Sequence, residues 1–483
     1  MEAMYLGDIV KAVDGRICAD HMEESTGGIV KSMDDIEKIV INVLDTDSRN
    51  ITEGSLFVPI RGEKFDGHEY IGKALESGAA ACFTDRYPDE YKEGKYYVQV
   101  EDTKKAFACL AKYYKSKFDV KCVAITGSVG KTTTKDMIFS VLKEKFNVLK
   151  TEGNFNNDIG LPKTIFNLNK DHEIIILEMG MNHAGEIDFL GSIAEPEIGI
   201  ITNIGISHIE NLGSRENILK AKAELLPHIA HGGLAILNRD DDMLNKKLNM
   251  PERKLNVLWY GMDMGNCDAY ADHMVPDGIS GVSLNINTKE NKFNAYIHSA
   301  GKHMAYAALI AALTGEEFGM SANEIKAGIE SFYPSNMRMS IEKLNHHIIL
   351  IDDAYNASPQ SMKSGIDVLK SGKSKYSMTI FGDMFELGKY SESAHREVGK
   401  YAAETGIDFI IAIGNDAKYI YEEAKKTYDE QEDDKVFFFE DKEDFIKEIG
   451  HMIVPDTAIL VKASRGMHFE KIAESIKSFF DFP

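Results

Sequence analysis

Apolar positions along this chain fall into two alternating kinds of segment. Short continuous runs such as Cys122–Thr126, Ile174–Met179, Ile198–Ile204 and Leu234–Asn238 have the length and branched content of strands buried on both faces. Between them lie stretches such as Asp136–Lys145 and Arg215–Ile229, where apolar residues recur at the spacing of one helix face. Strand–helix alternation from Lys121 to about Gly315 predicts a mostly parallel sheet covered by helices. A second alternation follows Tyr333-Pro334, with strands at Ile348–Asp352, Met378–Phe381, Phe409–Ile413 and Ala458–Val461 and helices at Ser361–Leu369 and Ala394–Glu404. It predicts a smaller doubly wound domain. Residues 1 to about 100 alternate strand-like runs with turns and include a predicted alanine-rich helix, Ala74–Ala81. An amphipathic helix, Thr103–Phe118, joins this part to the next. The expected fold class is α/β with three domains, 1–100, 101–333 and 334–483.

The sharpest local signal is Val123-Ala-Ile-Thr-Gly-Ser-Val-Gly-Lys-Thr-Thr-Thr134. A strand breaks at Gly127 and a helical pattern starts after Lys131, an arrangement that wraps backbone N–H groups around nucleotide phosphates. Gly127 and Gly130 allow close approach, Lys131 reaches the phosphates and the Thr132 hydroxyl faces Mg²⁺. Ile125 stands where the longer form of this motif has its first glycine, so the pattern is the short G-x-x-G-K-T-T form.

Other candidates sit where predicted strands end, the edge at which open parallel sheets gather ligands. Glu178 closes one strand and suits Mg²⁺, or caps a neighbouring helix. His208 follows the next strand, as a ligand or as an ordinary satisfied histidine. Asn154, Asn156 and Asn157 precede a helix at Pro162–Phe166; capping accounts for one of them, and a polar substrate is the competing reading for the rest. Ser48 and Arg49 offer a hydroxyl and a guanidinium to a phosphate or uracil-like edge, or form an exposed turn. Arg338 suits a phosphate, and Asp352 and Asp353 suit ribose hydroxyls. Gly382-Asp-Met-Phe-Glu-Leu-Gly388 and Lys462-Ala-Ser-Arg-Gly466 end strands as well, and turn chemistry explains each of them equally. Lys220 and Lys222 read, on pattern alone, as a solvated helix face.

Composition narrows the classes. A formal net charge of −22 argues against nonspecific nucleic-acid binding and requires any anionic substrate to be met by local donors. The five cysteines are scattered without C-x-x-C spacing, as expected of reduced thiols. Met1–Arg16 lacks a signal-peptide profile, and the richest apolar run, Ala305–Leu313, is too short for a membrane. A cytoplasmic protein is expected.

Together these stretches resemble the Mur ligase family of peptidoglycan-precursor enzymes, over nearly the whole chain. The most discriminating are the short phosphate loop, Glu178-Met-Gly-Met-Asn-His-Ala-Gly-Glu186, Asp353-Ala-Tyr-Asn-Ala-Ser-Pro359 and Gly382–Gly388. Within the family they fit the member that joins D-alanyl-D-alanine to UDP-N-acetylmuramoyl-tripeptide through an acyl phosphate. The resemblance implies an N-terminal UDP-substrate domain, a central P-loop ATP domain and a C-terminal Rossmann-like domain. It implies that Gly127, Ser128, Val129, Gly130, Lys131, Thr132 and Thr133 hold ATP phosphates, with Arg338 and Asp353 completing the ATP site at the γ-phosphate and ribose. Thr132 and Glu178 fall at one Mg²⁺ and His208 at a second. Lys222 matches the lysine that the family carbamylates, which overturns its reading as a solvated residue. Ser48 and Arg49, Asn156 and Asn157, and Asn356, Ser464 and Arg465 are assigned to substrate. The implied partners are the two small-molecule substrates, with no nucleic acid or membrane, and the implied state is a monomer. Met304 and Ala307 stand where the family has asparagines near adenine, so relaxed selectivity for ATP over GTP is expected. A related amide ligase, or a nucleotide-dependent switch without ligase activity, are the competing functions.

Overall fold

A computed structural model describes residues 1–18, 33–62, 65–87, 91–250, 254–428 and 434–481. Of the predicted Tyr428–Asp434 loop, residues 429–433 lie outside the described residues. The chain forms two compact units, Met1–Ala124 with Asn147–Met179 and Asp188–Pro196, and Ile125–Phe146 with Gly180–Ile187 and Glu197–Pro483.

The first unit contains a five-stranded sheet in the order Arg16–Cys18, Tyr96–Gln99, Ala81–Thr84, Ser55–Phe57, Val43–Asp45. Its pairs are parallel except at Arg16–Cys18. The predicted helix Ala74–Ala81 is displaced: the helix runs Ile71–Glu76, and Gly78 at φ 114° turns the chain so that Ala81 opens a strand. Alanine favours helices, but here burial beside Phe57, Cys82 and Tyr97 decides the conformation. The connecting helix spans Thr103–Lys115, capped by Asp102, which accepts from the Lys104 and Lys105 N–H groups. The same unit holds the parallel pair Val148–Lys150 and Ile174–Glu178.

In the second unit, Ile198–Ile201, Leu234–Asn238, Asn256–Gly261 and Ala269–Pro276 pair in parallel. The sheet then turns antiparallel through Val282–Asn287 and Lys292–Ile297. That meander departs from the expected helix-covered parallel sheet. Its signature is period two, with Val282, Leu284 and Ile286 buried between polar neighbours. The helix Lys131–Leu142 packs on His303–Glu317 and Ala322–Glu330, where a Cβ at Gly328 would lie 2.3 Å from Val141 Cα. His303–Glu317 is buried on nearly every face, so the apolar run Ala305–Leu313 is a core helix, and Met304 and Ala307 are buried in it. Among the described residues no helix is long and apolar enough to cross a membrane.

The same unit contains a six-stranded sheet, ordered Ser340–Leu344, Ile348–Asp352, Thr457–Lys462, Tyr376–Gly382, Phe409–Ile413, Val436–Phe439 and parallel except for the first strand. One face is covered by Lys442–Met452 and Glu470–Asp481, whose Phe445, Ile449, Ile472 and Ile476 meet Ile348, Leu350, Ile380 and Ile459. The last strand in sequence enters between the first two parallel ones. Loops after Asp352, Gly382 and Lys462 therefore emerge side by side at their carboxyl ends.

Candidate active site

The Gly127–Gly130 turn is shaped by its own contacts. Gly127 lies at φ 152°, and a Cβ there would come within 1.8 Å of Thr202 Oγ1. Gly130, at φ 83°, turns the chain into the helix Lys131–Leu142. Residues beyond the strand Ile198–Ile201 fix what lies between. The Ser128 N–H donates to Asn203 O and the Val129 N–H to Asn203 Oδ1, each at 3.0 Å. Thr202 Oγ1 and Asn203 Nδ2 donate to Val129 O at 2.7 and 3.0 Å. Lys131 Nζ donates to Gly127 O at 2.8 Å, so the cation already rests on the loop it serves. Sequence reasoning passed over Thr202 and Asn203, although both lie in the stretch that ends at His208. A Gly127→Ala variant must push Thr202 off Val129 and strain its own backbone. It is expected to lose roughly 2–4 kcal/mol of stability, read from urea midpoints, together with nucleotide affinity.

Lys222 is not a solvated residue. It is 1% exposed on the helix Arg215–Ala223, which stops before Pro227 rather than running to Ile229 as expected, because proline supplies no N–H to continue it. Burial, and then the nearby charge of Lys131, push the Lys222 ammonium well below its ordinary range. Glu224, two residues on, accepts from the Gly185 N–H at 2.9 and 3.0 Å. His208, at φ 63°, starts the short helix Ile209–Leu212, and its Nδ1 lies 2.5 Å from Glu386 Oε2. That hydrogen bond lowers the Glu386 carboxyl below its usual range. The Glu210 N–H donates to Glu386 O at 3.2 Å, so the Gly382–Gly388 segment meets the His208 loop through side chain and backbone.

Glu178, 2% exposed, ends its strand in the first unit. Asn156 Nδ2 donates to Glu178 Oε1 at 3.1 Å, and the Glu178 N–H donates to Thr151 Oγ1 at 3.0 Å. Asn157 follows the capping reading: its Oδ1 accepts from the Gly160 N–H at 2.8 Å and the Ile159 N–H at 3.3 Å. In the turn after the strand Val43–Asp45, Ser48 is buried and Arg49 folds back on Asp47, Nη2 to Oδ2 at 2.6 Å, which holds the Asp47 carboxyl at about 2.

At the carboxyl edge of the six-stranded sheet, Lys462 Nζ donates to Asp353 Oδ2 at 2.5 Å and Asn356 O at 2.9 Å. Asp352 is buried, and burial raises its carboxyl above the usual range; Asp353 is the one that meets Lys462. Arg338 stacks on Tyr355, 4.0 Å from the ring centroid. Arg465 lies 5.8 Å from the same ring and pairs with Glu470 at 3.1 Å. Ser464 Oγ accepts from the Phe385 N–H at 2.8 Å, and Asp383 accepts from the N–H groups of Asn415, Asp416 and Ala417. Ser464 and Asp383 thus carry turn chemistry. Lys462, which the sequence marked only as a strand end, proves to be the pin of the Asp353–Asn356 loop. With 3% and 14% of the Lys462 and Asp353 side chains exposed, removing one partner strands a charge. Lys462→Met is expected to cost about 3–5 kcal/mol, measured by chemical denaturation.

Three family models cover most of this chain: Mur ligase family, catalytic domain at residues 40–115; Mur ligase middle domain at 125–315; and Mur ligase, glutamate ligase domain at 337–465. The chain belongs to the Mur ligase family. Among the relatives of this Mur ligase, the UDP-N-acetylmuramoyl-tripeptide–D-alanyl-D-alanine ligase of Bacillus subtilis is 37% identical over 91% of this chain and 94% of its own. A crystal structure of MurF from Acinetobacter baumannii superposes with a TM-score of 0.86 at 27% identity, covering 99% of both chains. The MurF ligase of Thermotoga maritima in complex with ADP gives 0.80 at 26% identity, covering 90% of this chain and 97% of its own. The Mur ligase has the three-domain α/β fold of these structures.

Proposed function

We propose that this Mur ligase is an ATP-dependent amide ligase that adds D-alanyl-D-alanine to UDP-N-acetylmuramoyl-tripeptide in peptidoglycan synthesis. The observation that carries the reading is the near-full-length likeness to the B. subtilis ligase of that name. In this reading, residues 1–100 bind the uridine-diphosphate end through Ser48 and Arg49, 101–333 bind ATP, and 334–483 supply Arg338 and Asp353 to ATP and Asn356 and Arg465 to the acceptor, with Ser464 shaping the turn beside them. Of the two asparagines assigned to substrate, Asn156 faces the tripeptide and Asn157 caps the helix behind it. The enzyme acts as a cytoplasmic monomer on small molecules, without nucleic acid or membrane, as its charge of −22 favours.

A carboxylate resists nucleophiles and lacks a leaving group. Transfer of the ATP γ-phosphoryl to the terminal carboxylate of the tripeptide forms an acyl phosphate and releases ADP. The dipeptide amine then attacks that carbonyl, loses a proton and expels phosphate. Lys131 and the N–H groups at the start of its helix, Gly130 to Thr133, stabilise charge during transfer, whereas the Ser128 and Val129 N–H groups expected to join them are engaged by Asn203.

Two Mg²⁺ ions belong to this reading, and the donors assigned to them are of the oxygen and imidazole types that suit such ions: the Thr132 hydroxyl and Glu178 carboxylate for one, the His208 imidazole for the second, and a carbamate on Lys222 as a further carboxylate. Such ions would neutralise phosphate charge. Burial favours the neutral Lys222 amine, whose lone pair adds to CO₂ with loss of a proton, giving a carboxylate. The loop geometry, with Lys131 turned onto Gly127 O, supports a phosphate cradle that a glycine side chain alone leaves open.

Mass analysis of reactions containing ATP, D-alanyl-D-alanine and UDP-tripeptide, ending in either diaminopimelate or lysine, tests the proposal. Pentapeptide from one of them is expected; none from either refutes it.

A further inference from the structure

We propose that Lys163 is a positioning residue for the UDP end of the substrate, holding the Asp45–Arg49 loop in register with the asparagine segment beside Glu178. This rests on the reading that Ser48 and Arg49 bind that end.

Lys163 Nζ lies 3.0 Å from Asp45 Oδ1, across 118 positions of sequence, with only 29% and 20% of the two side chains exposed. Asp45 is the hub of its loop. Its Oδ1 also accepts from the Thr46 N–H at 2.7 Å and the Asp47 N–H at 3.0 Å, and its Oδ2 accepts from Asn50 Nδ2 at 3.2 Å. The backbone that presents Ser48 and Arg49 is thus folded around one carboxylate, and the lysine ties that carboxylate to the helix Gly160–Ile165.

That helix is a firm anchor. Leu161, Pro162, Thr164 and Ile165 are buried around Lys163, and Asn157 caps the first turn. The segment leading into it carries Asn156, bonded to Glu178, and Asp158, ion-paired with Lys104. A chain of contacts therefore runs from the Asp45 loop through Lys163 to Asn157, Asn156 and Glu178, all within the first unit. An exposed ion pair contributes little. This pair is half-buried, and its carboxylate is also the acceptor that shapes a binding loop, so its loss misplaces Ser48 and Arg49 while Asp45 keeps its backbone donors.

Steady-state kinetics on Lys163→Met, Asp45→Asn, the double variant and Lys163→Arg test this. Each single variant is expected to raise KM for UDP-tripeptide about tenfold, with kcat and the KM for ATP within about twofold. The double variant is expected to be no worse than either single one, and arginine to recover most of the loss. An unchanged KM in Lys163→Met overturns the proposal. Losses that multiply in the double variant also overturn it, since they mean that each residue acts alone. Calorimetry with UDP separates the two levels of inference. If no pentapeptide forms but UDP binds, a tenfold weaker UDP affinity in Lys163→Met still supports the role of Lys163 and an equal affinity removes it. A wild-type protein that does not bind UDP removes both.

Discussion

Replacing Lys222 with methionine is expected to abolish ligation and at the same time to raise the melting temperature. Both effects follow from an amine placed where water is excluded and its protonated form is penalised. With 1% of the residue exposed, burial and the neighbouring Lys131 depress its folded-state proton affinity far below the ordinary lysine value of 10.5. The unfolded chain then binds more protons than the folded one between those two values. Stability rises with pH across that window, and the cost disappears above about 10.5. Methionine fills similar volume and carries no charge, so the variant's advantage in Tm is largest at neutral pH and below and closes in alkaline buffer. Turnover falls at least about 10²-fold, because methionine cannot take up CO₂. Lys222→Arg is equally inactive, since a guanidinium stays protonated, and stripping bicarbonate from the wild-type enzyme lowers its rate reversibly. Full turnover by the methionine variant removes the carbamate from the account.

The second large effect belongs to Lys131. Its ammonium lies on the loop itself, 2.8 Å from Gly127 O. Lys131→Ala is expected to lower kcat by roughly 10³-fold with the fold intact, because the loop itself is held by Thr202 and Asn203 rather than by the lysine. Removing this charge also relieves Lys222 of its like-charged neighbour. The alanine variant should therefore hold a proton on Lys222 more readily and need more bicarbonate for its residual activity. Single-turnover rates at varied bicarbonate measure both. A loss under tenfold contradicts the assigned role.

The parts of this fold legible in the sequence are those set by continuous apolar runs. Leu234–Asn238, Ile348–Asp352 and Phe409–Ile413 are strands with the expected ends, because both faces are buried and nothing competes. The antiparallel meander at Ala269–Ile297 escaped notice, since its alternation is the weaker signal and the preceding strand–helix rhythm implied more of the same. Gly127, Lys131 and Glu178 announced themselves by motif or position. Lys222 did so only through the family resemblance: the local pattern does not separate it from Lys220, and its burial is created by the helix packing around it. His208 was legible as a strand-end residue but its partner Glu386 was not, because the two are joined only by tertiary structure. The same holds for Lys462 with Asp353 and Lys163 with Asp45, where each lysine reads locally as a solvated or terminal residue.

The central claim is that phosphate leaves with an oxygen taken from the tripeptide. The most direct test uses UDP-tripeptide carrying ¹⁸O at both oxygens of its terminal carboxylate, turned over with ATP and D-alanyl-D-alanine, followed by mass analysis of the phosphate released. The account predicts one ¹⁸O in each phosphate formed; phosphate free of label, alongside normal pentapeptide formation, contradicts the acyl-phosphate route.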